Sequence, residues 1–163
     1  MTRIITTSLL LLLTGSAALA QSPAKPNLSG TWVFDSQKSA LKTPGPASMT
    51  LQIDQKDPHF IFARTEKYGD QSFDWKLEAD ADNPKEVVQT SPNGMTTSSK
   101  VYWQGNALVL DQKLTASDGT KVNEMVVYTL EDNFSTLQAT ERQTAVGGKG
   151  AIVNKWVYVK KAP

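Results

Sequence analysis

The sequence predicts an all-β fold, an antiparallel up-and-down meander of about ten strands closing into a barrel. Three observations lead there. Short runs rich in β-branched and aromatic residues recur every 8–12 residues or so, with turn residues between them. Almost nothing after Gly30 has helical period. All connections but one are short, and short connections make neighbouring strands antiparallel.

The chain opens on a leader. Arg3 gives a positive start, Ile4 to Leu13 an apolar run, and Ala18-Leu19-Ala20 a small-residue cleavage site. This is the form of a secretory signal peptide. The run is too short for the roughly 20 residues of a membrane span. Residues 1–20 are therefore expected to be removed near Ala20-Gln21, leaving a secreted or periplasmic protein. Residues 21–28 then form an N-terminal arm and 29–161 a single barrel domain, long enough to bury a core unaided. It must do so, because the chain has no cysteine.

The expected strands follow in order. Gly30–Asp35 comes first, then Met49–Gln55, Phe60–Lys67, Ser72–Ala79 and Glu86–Thr90. Thr97–Gln104, Ala107–Thr115, Lys121–Leu130, Leu137–Gln143 and Ala151–Lys160 complete the set. Asn93-Gly94 and Gly105-Asn106 are hairpin turns that need positive φ. The one long loop, Ser36–Ser48, carries Pro44-Gly45-Pro46 and is expected to begin with a turn capped by Asp35 or Ser36. Alternation places Met49, Leu51 and Ile53 on one face, and Phe73, Trp75 and Leu77 on another. Phe60, Phe62, Arg64 and Glu66 share a face that changes from apolar to charged, as a packed floor and a wetter mouth would require. The last strand has valines on one face and Trp156 with Tyr158 on the other, which predicts a cover from the Ser36–Ser48 segment or a second subunit.

Charge and composition exclude several functions. The chain has 17 basic and 16 acidic residues, and Arg3 leaves with the leader, so the mature chain is neutral. Nucleic-acid binding needs a basic stripe, and none is present. His59, placed in the turn after Asp57, is the single histidine. It gives no basis for a Ser–His pair or a zinc site, which needs several His or Cys ligands. No metal and no cofactor is expected, and the chain is not read as an enzyme. Glu66, Glu78, Glu86, Glu124 and Glu141 lie on strands, and sequence singles out no pair of them for acid–base chemistry.

Aromatic residues remain. Trp75, Trp103, Trp156 and Tyr128 are candidates to line a ligand cavity, since small-molecule sites are largely apolar and aromatic. Arg64 and Arg142 are the strand arginines, suited to an anionic group or to stacking on a Trp face. Trp75, Tyr128 and Trp156 take similar places in three hairpins that resemble one another. Gly30 and Trp32 are assigned to the barrel floor.

Ser29-Gly30-Thr31-Trp32 resembles the first strand of the lipocalin and calycin superfamily, which carries Gly-x-Trp at the closed end. With Lys38-Ser39, Pro44-Gly45-Pro46, Met49 to Ile53, Trp103 to Val109 and Tyr128-Thr129-Leu130, the chain looks like a group of secreted bacterial lipocalin-like proteins of unknown function. The resemblance implies a lipocalin-like β-barrel and leaves activity open. Lipocalins lay an arginine from the last strand across the first-strand tryptophan. Here that strand offers Lys155, Lys160 and Lys161, and the second and third lipocalin signatures are not recognisable.

The first reading is a barrel that holds a small hydrophobic or amphipathic ligand. The alternative is a protein-interaction module, such as a periplasmic protease inhibitor or assembly partner, with a homodimer as one form. A third is an enzyme on the same barrel that needs few polar groups.

Overall fold

The computed structural model describes residues 25–131 and 133–162. The expected leader and its cleavage site lie outside these residues, as does the start of the arm.

Ten antiparallel strands form one sheet: β1 (Gly30–Phe34), β2 (Ser48–Lys56), β3 (His59–Tyr68), β4 (Gln71–Asp80), β5 (Val87–Thr90), β6 (Thr96–Gln104), β7 (Ala107–Thr115), β8 (Lys121–Leu130), β9 (Thr136–Ala145) and β10 (Ile152–Lys160). The order across the sheet is β4-β3-β2-β1-β10-β9-β8-β7-β6-β5. First and last strands pair, with Trp32 opposite Lys160 and Phe34 opposite Tyr158. The barrel is thus nearly closed, as the meander reading expects, and its seam lies between β4 and β5. The Gln89 amide crosses that seam, donating to the Lys76 carbonyl at 2.8 Å.

Turn chemistry sets the register. β6 and β7 are joined by Gly105 and Asn106 alone, and Gly105 has φ +61°. Such a two-residue turn matches the right-handed twist of the flanking strands only with positive φ.

The lower half of the barrel is packed solid. Trp32, Leu51, Phe60, Phe62, Leu77, Leu108 and Leu137 are fully buried. Phe60 stacks on Phe62 at 6.0 Å and meets Trp103 edge-on at 5.8 Å. Leu28 closes this end from the arm: its N–H donates to Gln55 Oε1 and its carbonyl accepts from Trp32 Nε1 at 2.9 Å. Lys160 Nζ lies over the Trp32 ring, 5.2 Å from its centre. A lysine here takes the place the resemblance gives to an arginine. Gly30 has φ +145°, and a Cβ on it would fall 2.7 Å from Lys160 Cε. The Gly-x-Trp spacing thus serves a backbone that L side chains rarely adopt, beside a tryptophan capped by a cation.

The long loop departs in part from expectation. Asp35 does cap its first turn, accepting from the N–H groups of Gln37 and Lys38. The segment then runs along β10 where short β1 has ended. Ala40 pairs with Lys155, and Ser39 Oγ accepts from the Val157 N–H. Of the outward valines on β10, Val157 is buried while Val153 and Val159 stay exposed. The two-sided apolar pattern therefore arises from one covered position and two open ones, not from burial of the whole outer face.

Candidate functional site

Strand alternation brings the same inward columns from floor to mouth, and in each column chemistry changes along the way. On β3 the series is Phe60, Phe62, Arg64, Glu66; on β8 it is Tyr128, Val126, Glu124; on β9 it is Leu137, Ala139, Glu141, Gln143. Above the packed floor these polar ends enclose a chamber of about 240 Å³. Met49, Trp75, Trp156 and Tyr158 share its wall, and Thr43 and Pro44 of the long loop reach its rim.

Arg64 is enclosed by the wall, yet about a third of its side chain stays open to the chamber. Its guanidinium sits 5.2 Å from the Trp75 ring centre, and Nε lies 2.8 Å from Glu66 Oε1. That approach is an ion pair without hydrogen-bond alignment, and Nε has no hydrogen-bond acceptor. Burial alone would lower the Arg64 pKa, but the Glu66 charge and weaker contributions from Tyr128, Tyr158 and Glu124 outweigh it and raise the pKa.

Glu124 and Glu141 form the second charged cluster. The Gln143 amide donates to both, at 2.7 Å to Glu124 and 3.1 Å to Glu141. Glu141 Oε2 also accepts from Asn154 Nδ2 at 2.7 Å and Trp156 Nε1 at 3.0 Å. Three converging N–H donors are what a carboxylate anion needs in a confined site. Glu124 has fewer donors. Its burial, and then the Glu141 charge, push its pKa up to about 7. Burial likewise lifts Tyr128 to about 12 and Tyr158 well above the ordinary phenol value, so both rings stay neutral. Tyr158 donates its hydroxyl to Met49 Sδ at 3.7 Å.

The chamber therefore brings together four of the six expected ligand-lining residues: Trp75, Trp156, Tyr128 and Arg64. The structure places the other two elsewhere. Trp103 packs on Phe60 in the floor half, with Lys25 Nζ 5.8 Å from its ring centre. Arg142 is exposed on the outer face, where its β9 position pairs with Met125 and Val153. The spacing supplied a signal for both. Trp103 shares its inward column with buried Val101 at the apolar end of β6, and Arg142 is out of phase with inward Glu141.

Glu124 and Glu141 are the residues that sequence reasoning left unsorted. The available signal was their phase: each sits two residues from an inward apolar or small residue, Val126 and Ala139. Of the other glutamates expected on strands, Glu66 joins the chamber, while Glu86 lies just before β5 and takes a hydrogen bond from Ser98. Glu78 lies 3.2 Å from His59 Nε2. His59 is not in a turn. It opens β3, held between Glu78 and, at 2.9 Å from Nδ1, Asp80. No group of His, Asp or Glu able to hold a metal occurs among the described residues, and no helix among them is long and apolar enough to cross a membrane.

No family model matches the chain, and no curated protein matches it by sequence. Solved structures do match its shape. A REP1-NXSQ fatty acid transporter superposes with a TM-score of 0.54 at 13% identity, covering 83% of this chain and 97% of its own. Lipid binding protein 8 of Caenorhabditis elegans gives 0.57 at 14% identity, covering 82% and 94%. Fatty-acid-binding protein 1 of Echinococcus granulosus gives 0.55 at 13%, covering 83% and 98%. At such identity the likeness is one of fold: this chain has the calycin-like barrel architecture of fatty-acid-binding proteins.

Proposed function

We propose that this protein is a secreted or periplasmic binding protein that holds a small amphipathic molecule in its mouth chamber. The observation that carries the reading is the chamber itself. It is a partly open space above a packed floor, walled by Trp75, Trp156, Tyr128 and Tyr158 and lined with charged and amide side chains, among them Arg64, Glu66, Glu124, Glu141 and Gln143. Ligand sites combine those two ingredients. The shared fold with lipid-binding barrels supports the reading, and the N-terminal leader supports export.

Two of the four tryptophans line the chamber, so ligand entry should quench intrinsic fluorescence, and Trp75→Phe with Trp156→Phe should remove that response. Mass spectrometry of native protein from its own host should find a small molecule released on denaturation. A protein that carries none and whose fluorescence no amphiphile alters would defeat the reading. N-terminal sequencing of exported protein should begin at Gln21.

An interaction module is the second reading. It draws on Val33, Val153 and Val159, exposed on the outer face of β1 and β10. Concentration-dependent mass by light scattering tests it, and a monomer with no captured partner removes it.

A further inference from the structure

On the reading that the chamber binds a ligand, we infer that this ligand is a small organic cation, an amphipathic amine with its ammonium beside Glu124 and Glu141 and its apolar body against Trp156 and Tyr128. Three observations meet here. Glu66, Glu124 and Glu141 come from three strands into one chamber, and Arg64 is the sole cationic residue in its wall. That arginine is already committed: its charge pairs with Glu66 and its face lies on Trp75. Glu124 and Glu141 face each other, and the donors they take from the protein are neutral, the Gln143, Asn154 and Trp156 N–H groups.

A carboxylate ligand would bring a fourth acid into this space and find its one cation occupied. An ammonium finds two acceptors with no charged partner, flanked by rings whose π faces attract cations. Size points the same way. The chamber's 240 Å³ lies below the range of about 300–1,000 Å³ common for ligand pockets, so a compact body fits better than a long acyl chain.

The same geometry couples binding to pH. Glu124 faces Glu141 and Gln143 from β9 and Arg64 with Glu66 from β3, beside Tyr128 on its own strand; Tyr158 completes the titratable groups of the wall. An ammonium favours ionised Glu124, so its binding releases the proton that Glu124 holds at lower pH. Affinity should therefore rise as pH increases through about 7.

The experiment uses two matched sets of probes on the full mature chain, followed by calorimetry and Trp fluorescence. One set is phenethylamine, phenethyl alcohol and phenylacetate. The other is dodecylamine, dodecanol and laurate. The amine should bind at least about tenfold more tightly than its alcohol and carboxylate partners, the size expected of hydrogen bonds to a charged group. Among the amines, the compact one should be preferred. At about pH 8, Glu124→Gln and Glu141→Gln should each weaken amine binding by about tenfold and leave alcohol binding unchanged. Glu124→Gln should also abolish the pH dependence. Glutamine imitates the protonated carboxyl, so this variant is expected to fold, and unchanged alcohol binding would confirm it. Alcohols or carboxylates that bind as tightly as the amines would overturn the charge assignment while leaving the binding reading intact. Failure of every probe would remove both.

Discussion

The two halves of this barrel share strands, alternation and register, yet behave as different materials. The floor half around Trp32, Phe60 and Phe62 is filled by fully buried side chains, and the cations that reach it, Lys160 over Trp32 and Lys25 over Trp103, stand at its rim. The mouth half uses the next residues of the same columns to build a space edged by Arg64, Glu66, Glu124 and Glu141. The difference shows how a small β-barrel separates stability from function. Apolar residues at one end supply the folding free energy. That surplus lets the other end keep buried, imperfectly satisfied charges, whose desolvation works against folding.

The sharpest break of this comparison is Trp32→Ala. It removes a fully buried ring that the Leu28 carbonyl, the Lys160 stem and Leu51 all meet. A loss of about 3–5 kcal/mol is expected from the cavity and the lost transfer energy. Urea denaturation measures it. The amine affinity of whatever fraction remains folded should be unchanged, because Trp32 does not line the chamber. A loss below about 1 kcal/mol would mean that the floor is not what holds the barrel.

Next in size is the opposite change in the mouth. Glu124 has a folded-state pKa of about 7, above its ordinary 4.5. Between those values the folded protein holds a proton that the unfolded chain has released. Stability should therefore fall as pH rises from about 4.5 to about 7 and level off beyond, with a total near 3 kcal/mol. Glu124→Gln should flatten that slope and make the protein more stable than wild type at about pH 8. Urea midpoints of both proteins at about pH 5 and pH 8 decide the matter. Parallel pH profiles for the two would show that Glu124 is not the strained group.

How much of this was legible beforehand follows from the same division. The floor could be read because apolar alternation is a repeated signal: Met49, Leu51 and Ile53, or Leu108 and Leu110, each reinforce one another. The change along β3 from Phe60 to Glu66 even showed the direction of the mouth. For the chamber's acids the phase of Glu124 with Val126 and of Glu141 with Ala139 points inward, but phase does not tell an enclosed glutamate from a solvated one. Only the fixed register of β8 with β9, which sets Glu124 opposite Gln143 and Val126 opposite Glu141, puts both acids on one inner wall. Trp103, packed on Phe60 in the floor half, shows the converse. Its chemistry suits a pocket, and its height along the barrel, which decides where it goes, depends on how far β6 is staggered against its neighbours.

Gly30→Ala probes the floor's edge more gently. The methyl group meets a flexible part of Lys160, which can swing aside, so the cost comes mainly from φ +145°. About 1–3 kcal/mol is expected, the range for an L residue held in a sparsely populated region. Thermal unfolding should show it as a lowered midpoint, with the chamber's binding unaltered. A neutral result would mean that β1 can relax without disturbing Trp32.

Lys160→Met should have the smallest effect. Methionine keeps most of the aliphatic stem over Trp32 and removes the ammonium, which lies 5.2 Å from the ring centre. A cation over an indole at such an exposed rim contributes about 0.5–1 kcal/mol, so the loss should not exceed that range. Lys160→Ala removes the stem as well and should cost more, since the stem covers the ring's apolar face. Equal losses for the two variants would make charge, not cover, the reason a cation stands at this position. A larger loss for alanine would mean that the floor is sealed by hydrocarbon even where its last residue is charged, and that charge in this barrel acts only at the mouth.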